Sequence, residues 1–241
     1  MIGILGAMQA EVDRLISAIR NCETRDVLGH RFYTGTIDGH RVVISRCGVG
    51  KVNAAVSAQT MIMAFDPKII INTGVAGSLT SAFGILDVAV AIDAVQHDYD
   101  TTALGEPAGA LSISGELVTY FPCDSMWRDR LLDASRSLGI RALPARIASG
   151  DRFITNSEDK RRIVNTFSAQ VCEMEGAAIA QTCYIAGVPC AILRAISDST
   201  DGNHSMEYAE FLPLAVEKSC SILLTMLQDM PIDQPKEKDD A

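Results

Sequence analysis

The chain has 241 residues, of which 48% are hydrophobic and 21% charged, and its formal net charge is -9. This composition is close to that of an average globular protein, so we expect a hydrophobic core that needs neither disulfides nor a structural metal. The acidic balance argues against a nucleic-acid partner, whose phosphates would require a basic face. No apolar run approaches the roughly 20 residues of a membrane span.

The cysteines and the first residues predict a cytoplasmic protein. The seven cysteines are odd in number, scattered, and never spaced as C-x-x-C, which argues against a zinc site and against a secreted disulfide framework. The stretch 1–8 carries no leading positive charge and gives way to Gln9 and Glu11, so it is typical of a first strand and not of an export signal. We therefore expect a soluble protein in a reducing compartment.

The first predicted elements are a strand over Ile2 to Gly6 and a helix that begins near Glu11. An acid in the first turn of a helix is stabilised by the helix dipole, so Glu11 on its own is explained as a cap. The pattern Gly3-x-x-Gly6 lacks the third glycine of a dinucleotide-binding turn. The apolar spacing of this helix comes from Val12, Leu15, Ile16 and Ile19.

A hairpin is predicted next, with strands over 31–37 and 41–46 around Gly39. The following string, Gly48-Val49-Gly50-Lys51, resembles the end of a P-loop but lacks its first glycine and its final Ser or Thr. An ATP site is therefore improbable, and a tight strand-to-helix turn is the better explanation. The next helix is predicted from Val52, Ala55, Val56, Gln59, Ile62 and Met63, which repeat at helical spacing.

Short apolar runs predict further buried strands, and helical patterns alternate with them. The strands are expected at 69–73, 88–95 and 190–196, and the helices around Trp127 to Leu138 and Leu212 to Met226. A capping-box spacing over Thr155 to Glu158 predicts one more helix start, and Ser205 precedes the last helical pattern. The alternation predicts an α/β sandwich with a mixed sheet covered by helices.

No linker or composition shift divides the chain, so we expect a single domain over residues 1–228. Residues 229–241 combine punctuating Pro and Gln residues with a charged run and are predicted to be a disordered tail. The string His97-Asp98-Tyr99-Asp100 invites a metal hypothesis, but only four histidines exist and none pairs with Cys or Glu at ligand spacing. We predict a loop-ordering role for this string, no metal and no cofactor.

Two other segments leave a ligand role open. The small residues of 72–78 would let backbone N–H groups approach an oxygen-bearing ligand, although a plain turn explains them equally well. Phe153, which follows Ser149-Gly150-Asp151, could stack on a base or could belong to the core.

The most informative strings are Cys172-Glu173-Met174-Glu175-Gly176 and Arg194-Ala195-Ile196-Ser197-Asp198, each of which lies where an apolar segment ends. A Glu near sugar hydroxyls and an Asp near a leaving base are what cleavage of a glycosidic bond requires, because the reaction needs charge stabilisation at the sugar and a proton for the departing group. The two strings therefore predict chemistry on a nucleoside.

In this order, these motifs resemble those of the 5'-methylthioadenosine/S-adenosylhomocysteine nucleosidase family, and the match runs from Met1 to about Leu227. The motifs that carry the resemblance are Gly6-Ala7-Met8 with Glu11, Gly48-Val49-Gly50-Lys51, Asn72-Thr73-Gly74, Ser149-Gly150-Asp151-x-Phe153-Ile154, Glu173-Met174-Glu175 and Arg194-Ala195-Ile196-Ser197-Asp198. The resemblance implies the nucleoside phosphorylase fold, a three-layer α/β/α sandwich with a central mixed β-sheet.

The resemblance also implies a role for each residue. Asp198 would be the general acid that protonates adenine at N7, while Glu11 would hold and deprotonate the attacking water beside Arg194. Glu175 would bind the ribose hydroxyls and stabilise the oxocarbenium character of the sugar. The remaining substrate-binding positions implied are Met8, Phe153, Ile154, Glu173 and Met174.

The 5'-alkylthio group would be lined by Val49, Leu104 and Tyr208. The segment that holds Leu104 comes from the partner subunit in the family, so the resemblance implies a homodimer. The chain departs from the family in two places. Val75 replaces a frequent Ser, which removes any side-chain hydrogen bond from there, and Leu104 replaces an aromatic residue, with Glu106 near the same rim. Preference among 5' substituents is therefore left open.

Three other functions remain as alternatives. A nucleoside phosphorylase on the same fold would use phosphate in place of water, which needs a basic or N–H-rich anion site. A nucleosidase acting on 6-amino-6-deoxyfutalosine would share every catalytic residue. A non-catalytic nucleoside sensor would not need an acid and a base, whereas Glu11, Glu175 and Asp198 are all present in this chain.

Overall fold

The computed structural model describes the backbone of residues 1–198 and 205–232, and their side chains except those of 205–209. The helices in this part of the chain are α1 (Gln9–Ser17), α2 (Lys51–Phe65), α3 (Ser125–Ser137), α4 (Ser157–Phe167), α5 (Gly176–Ala186) and α6 (Ser205–Asp229). The strands are β1 (Ile2–Gly6), β2 (Arg20–Val27), β3 (His30–Ile37), β4 (His40–Arg46), β5 (Ile69–Ser78), β6 (Val88–Gln96), β7 (Leu111–Ile113), β8 (Glu116–Val118), β9 (Phe121–Pro122), β10 (Ala142–Ser149), β11 (Val171–Glu173) and β12 (Cys190–Asp198).

The main sheet is mixed, as the sequence predicts. Its order is β11-β10-β6-β12-β5-β1-β4-β3-β2, with β9 added on β6. The central pairs β1–β4, β1–β5 and β12–β5 are parallel, whereas β12–β6 and the β2–β3–β4 meander are antiparallel. Strand β11 pairs with β10 and also, antiparallel, with the end of β5, so the sheet curls back on itself at this edge.

Helices cover both faces of the sheet, which confirms the predicted three-layer α/β/α fold. Alternate side chains of the central strands point to opposite faces. Ile69 and Ile71 pack with α1, α3 and α6, whereas Ile70 packs with α2 and α5. A smaller cluster joins Ile163 and Phe167 of α4 to the curled edge.

Helix α2 lies where it was predicted, but its buried face differs from the predicted one. The helix buries Ala54, Ser57, Ala58, Thr60 and Met61, most of them small. Small residues allow α2 to pack closely on α5, which also presents alanines to the same cluster. Of the residues that gave the predicted pattern, Val52 and Met63 point outward, at 74% and 79% exposure, whereas Ala55 and Ile62 are partly buried against the core.

Other differences concern element ends. Strand β5 runs on to Ser78, so the small-residue segment treated as a turn is the end of a strand. Helix α4 is capped by Asn156, whose side chain accepts from the N–H of Asp159, and not by Thr155. Strand β2 is almost wholly exposed and has no apolar pattern that could predict it.

Within the described part of the chain, no helix is both long enough and apolar enough to cross a lipid bilayer. Helix α6 ends at Asp229, inside the segment predicted as a tail, and residues 233–241 lie outside the described residues.

Candidate active site

A cleft of about 590 Å³ opens where the carboxyl ends of several strands meet. Parallel strands of an α/β sheet place such ends on one edge, which is where these folds bind ligands. Strand β1 leads to Met8 and Glu11, β5 contributes Val75, and β11 and β12 contribute the two acidic strings. The topology therefore gathers segments that lie far apart in the sequence.

Most of the predicted site residues line this one cleft. They are Met8, Glu11, Val49, Val75, Phe153, Ile154, Glu173, Met174, Glu175, Arg194 and Asp198. The cleft is also lined by residues to which the sequence analysis assigns no individual role, namely Ala7, Ala76, Gly77, Arg152, Cys172 and Ser197. Leu104 is not among the lining residues and is 81% exposed, in a single 3₁₀ turn. Tyr208 lies in α6, but its side chain is outside the described residues.

Glu11 is more than a helix cap. One carboxylate oxygen accepts from the N–H of Met8 at 2.8 Å, which caps α1. The other accepts from the N–H of Val75 at 3.2 Å, at the end of β5. Burial raises the pKa of Glu11 above its ordinary value, while Arg194 opposes the rise. A buried carboxylate with a raised pKa is a suitable base for a water molecule in the cleft.

Arg194 is the central cation of the site and is 1% exposed. Its Nη2 donates to Glu173 and to the amide oxygen of Asn72, and it lies 3.5 Å from Oε2 of Glu175. Desolvation disfavours its charge, but the surrounding carboxylates more than offset this and raise its pKa. Arg194 therefore stays charged and fixes the positions of the acids around it.

Glu173 serves mainly as an anchor in this structure. Besides Arg194, its carboxylate accepts from the hydroxyl of Ser149 and from the N–H groups of Glu175, at 2.9 Å, and Gly176, at 2.8 Å. These donors include the N-terminus of α5, where a carboxylate is favoured. Glu173 lines the cleft as predicted, but both of its oxygens are already engaged by the protein.

Glu175 faces the cleft with a less committed carboxylate. Its Oε1 accepts from the N–H of Gly50 at 2.9 Å, where Gly50 starts α2 at a φ of 94° that favours glycine. Desolvation and the neighbouring Glu173 raise the pKa of Glu175 to about 7, against the lowering effect of Arg194. The string that resembled a P-loop thus positions an acid instead of a phosphate.

Gly74 is required by the close approach of two charged groups. A Cβ at this position would overlap Nη1 of Arg194 and would lie 2.6 Å from Oε1 of Glu11. Strand β5 therefore brings its backbone against the acid and the cation because residue 74 has no side chain. The backbone of the 72–78 segment thus contacts site residues directly, while its approach to a ligand stays a prediction.

Asp198 lies at the end of β12 on the other side of the cleft. The hydroxyl of Ser197 donates to its Oδ1 at 3.2 Å, and the ammonium of Lys160 lies 3.7 Å from its Oδ2. A Cβ at Gly77 would lie 2.9 Å from the same Oδ2, so a glycine makes room for this carboxyl. Lys160 was not predicted as a site residue, because it stands in a run of basic residues.

Apolar side chains form the rest of the cleft. Phe153 is 60% exposed at the cleft, so it is not a core residue, whereas Ile154 is buried. Met8, Val49 and Met174 complete the apolar lining. An exposed aromatic ring beside buried carboxylates suits a flat, heteroaromatic ligand attached to a polar group.

The turn at Lys51 is stabilised by contacts with Asp98, which belongs to the string 97–100 that was considered as a metal site. The ammonium of Lys51 contacts Oδ1 of Asp98 at 2.6 Å and Oε1 of Gln96 at 2.9 Å, and Asp98 also accepts from the N–H of Asp151. These contacts agree with a loop-ordering role for Asp98. Among the residues that the structure describes, no cluster of three or more His, Cys, Asp or Glu side chains is arranged to hold a metal ion.

The chain is similar to known proteins over nearly its full length. The family model described as the phosphorylase superfamily matches residues 1–228. The 5'-methylthioadenosine/S-adenosylhomocysteine nucleosidase of Halalkalibacterium halodurans is 36% identical over 94% of this chain and 97% of its own. The nucleosidase of the same name from Staphylococcus carnosus is 37% identical over 95% of this chain and 100% of its own.

Solved structures agree in fold. The 5'-methylthioadenosine/S-adenosylhomocysteine nucleosidase of Neisseria meningitidis, in complex with methylthio-immucillin-A, superposes with a TM-score of 0.88 at 32% identity, over 95% of this chain and 99% of the other. A futalosine hydrolase mutant from Helicobacter pylori superposes with a TM-score of 0.89, also at 32% identity, over 95% and 99% of the two chains.

Proposed function

The chain belongs to the 5'-methylthioadenosine/S-adenosylhomocysteine nucleosidase family of the phosphorylase superfamily, and we propose that it hydrolyses the N-glycosidic bond of these two nucleosides to adenine and a 5-thioribose product. The observation that carries the proposal is the convergence of Glu11, Glu175, Arg194 and Asp198 on one cleft. A base, a sugar-binding acid and a general acid around one cavity are the groups that this reaction needs.

At the sugar, Glu11 and Glu175 carry the chemistry. Glu11 holds a water molecule, takes its proton as the water attacks, and is positioned by Met8, Val75 and Arg194. Glu175 binds the ribose hydroxyls and, as a carboxylate in a buried site, stabilises the positive charge that develops on the sugar. Met8 and Met174 pack against the ribose between these two acids.

At the base, Asp198 donates a proton to N7 so that adenine leaves as a neutral molecule. Phe153 stacks on the purine, and the backbone of Ile154 reads its edge. Val49 provides part of the apolar pocket for the 5'-alkylthio group, together with Tyr208 and with Leu104 of a second copy. The support is the position of Phe153, Ile154, Val49 and Asp198 in the cleft wall.

Hydrolysis is favoured over phosphorolysis by the charge of the site. The buried cation of the cleft, Arg194, is engaged by Glu173 and Asn72 and faces Glu175. Arg152, which also lines the cleft, has an exposed side chain that pairs with Asp159. A phosphate dianion beside Glu11 would meet a carboxylate instead of a donor. Water carries no charge and is accepted by the same groups.

The test measures adenine release with and without phosphate. We expect the same rate in both, and strict dependence on phosphate would overturn the nucleosidase proposal. Asp198→Asn should lower kcat by ~100-fold or more, because a positioned acid is lost. Glu11→Gln should retain nucleoside binding and lose hydrolysis. The exposed carboxylates Asp133 and Glu116 supply the matched controls Asp133→Asn and Glu116→Gln, whose rates should equal that of the wild type.

The likeness to a futalosine hydrolase makes 6-amino-6-deoxyfutalosine the second candidate substrate. Methylthioadenosine, S-adenosylhomocysteine, 5'-deoxyadenosine and 6-amino-6-deoxyfutalosine assayed side by side separate the two functions. The proposal expects higher kcat/KM for the first two. A preference for the fourth substrate would reassign the function without changing the mechanism.

We also propose a homodimer that is built on the outer face of α2 and α5. This face consists of Val56 and Met63 of α2 and Ile185 of α5, with exposures of 45%, 79% and 60%, and it is continued by Leu28 of the turn between β2 and β3, which is 80% exposed. Contiguous exposed apolar residues of this kind mark a protein–protein interface. The exposed Leu104 has the accessibility that it needs to reach the site of a second copy.

Sedimentation equilibrium tests the dimer. The wild-type chain should sediment at twice the monomer mass, and Met63→Glu should shift the population to monomer. Met126→Glu, at an exposed position in the first turn of α3, is the matched control and should remain dimeric. A wild-type monomer at all concentrations would refute the interface.

We further propose a cytoplasmic protein whose residues 1–228 form one domain. In support, all seven cysteines are free, six of them buried, and the main sheet joins strands from β1 to β12.

A further inference from the structure

Lys160 occupies a core position of helix α4. The residues that the helix buries are Lys160, Ile163 and Phe167, which share one face at helical spacing. The next two residues, Arg161 and Arg162, are exposed, so only the first cation of the run is turned inward. Lysine is almost never fully buried unless it is paired, because removing its charge from water is costly.

The partner that explains the burial is Asp198. The Nζ of Lys160 lies 3.7 Å from Oδ2 of Asp198, and the two side chains are 6% and 13% exposed. Among the residues that the structure describes, the hydroxyl of Ser197, on β12, and the backbone of Gly77, on β5, also lie at this carboxyl, and both are neutral.

Strand β11 contributes two further titratable neighbours within the described part of the chain. Burial raises the pKa of the Cys172 thiol to about 12, with Asp198 adding to the rise and Lys160 opposing it, so the thiol is uncharged. Beyond it, the carboxylate of Glu173 is bound to Arg194 and to the N-terminus of α5. Lys160 is thus the cation that faces Asp198 from α4.

We propose that Lys160 is a positioning residue of the nucleosidase reaction, whose ammonium stabilises the carboxylate that Asp198 becomes when its proton passes to the leaving adenine. The inference rests on the proposed function, in which Asp198 is the general acid. In this step the O–H bond of Asp198 breaks, an N–H bond forms at N7, and the electron pair of the C–N bond goes to the base. Negative charge therefore appears on Asp198 beside a cation already in place, which favours the transition state over the ground state.

The test compares pH profiles of kcat/KM for adenine release. An opposite charge within 4–6 Å lowers the pKa of a carboxyl by about 1 to 3 units, so its removal raises that pKa. In Lys160→Met the acid should stay protonated to higher pH, which moves the alkaline limb upward by about 1 to 3 pH units. The plateau rate should fall, because Asp198 is then a weaker acid. An alkaline limb at the wild-type position would overturn the inference.

Two variants separate charge from shape. Lys160→Arg keeps the cation and should restore a profile close to that of the wild type. Arg161→Met removes an exposed cation from the same helix and should leave the profile unchanged. A purely structural role for Lys160 would change stability in Lys160→Met without moving the alkaline limb.

A direct titration of Asp198, which does not depend on turnover, distinguishes the test of Lys160 from the test of the proposed function. Carboxyl ¹³C NMR of aspartate-labelled protein, with the Asp198 signal assigned through Asp198→Asn, gives its titration directly. The midpoint should rise by at least about one pH unit in Lys160→Met. A coincident midpoint overturns the role of Lys160 even if adenine is released, whereas a wild type that releases no adenine overturns the proposed function itself.

Discussion

Glu175 is expected to destabilise the folded protein at the pH where it works. The carboxyl is 4% exposed, and desolvation together with Glu173 raises its pKa from 4.5 to about 7. Between these two values the folded chain binds more protons than the unfolded chain, so the free energy of unfolding decreases as the pH rises. Each pKa unit corresponds to 1.36 kcal/mol, so this shift costs the folded state about 3 kcal/mol above pH 7.

Glu175→Gln removes this cost, because glutamine keeps the shape and has no proton to lose. The variant should gain stability relative to the wild type by about 2–3 kcal/mol as the pH rises from 5 to 8. Urea unfolding of both proteins at the two pH values, at one protein concentration, measures this double difference, in which all other titrating groups cancel. Hydrolysis should be lost in the same variant, because the side chain proposed to bind the ribose is then a neutral amide.

Glu116→Gln is the control, since Glu116 is exposed on β8 and its replacement should leave the pH dependence unchanged. The reasoning would be refuted by a stability difference between Glu175→Gln and the wild type that stays constant between pH 5 and 8. Such a result would mean that Glu175 is ionised throughout this range.

Three further outcomes follow from the same contacts. Glu173→Gln should lower the free energy of unfolding at pH 8 by ~3–5 kcal/mol, because an amide cannot accept from all the donors around Glu173; a loss under 1 kcal/mol in urea unfolding would contradict this. Gly74→Ala should reduce kcat by ~100-fold or more, since its Cβ displaces Glu11 and Arg194, whereas Gly84→Ala, whose Cβ would lie 3.6 Å from Oδ2 of Asp87, should leave kcat unchanged. Val75→Ser should lower KM for methylthioadenosine, through a hydrogen bond worth ~1 kcal/mol, and an unchanged KM would show that this hydroxyl is not used.

The sequence predicted the parts of the fold that depend on local patterns. The strands at Ile2–Gly6 and Cys190–Asp198 are continuous apolar runs because both of their faces are covered, and this signal is readable without the fold. The two acidic strings were recognisable because their polar residues lie at the ends of continuous apolar runs. Their convergence on one cleft needed the sheet order, which single motifs do not contain.

Tertiary contacts decided what the sequence could not. In α2 the apolar periodicity predicts a buried Val52 and Met63, yet the face that packs on α5 is made mostly of small residues, and these two side chains are exposed. Lys160 was missed because a basic run is usually solvated, and only the fold brings its first member to Asp198. The role proposed for Leu104 depends on a second copy of the chain, which no pattern within one chain supplies.

The charge of the cleft affects both the stability of the transition state and the identity of the nucleophile. Glu11, Glu173 and Glu175 surround the guanidinium of Arg194, so the group carries a net negative charge when all three carboxylates are ionised. Excess negative charge in a buried site favours the positive sugar of the transition state more than the neutral nucleoside. The same charge opposes entry of a phosphate dianion and leaves the attack to water. The same negative charge therefore both stabilises the oxocarbenium ion and favours water over phosphate as the nucleophile.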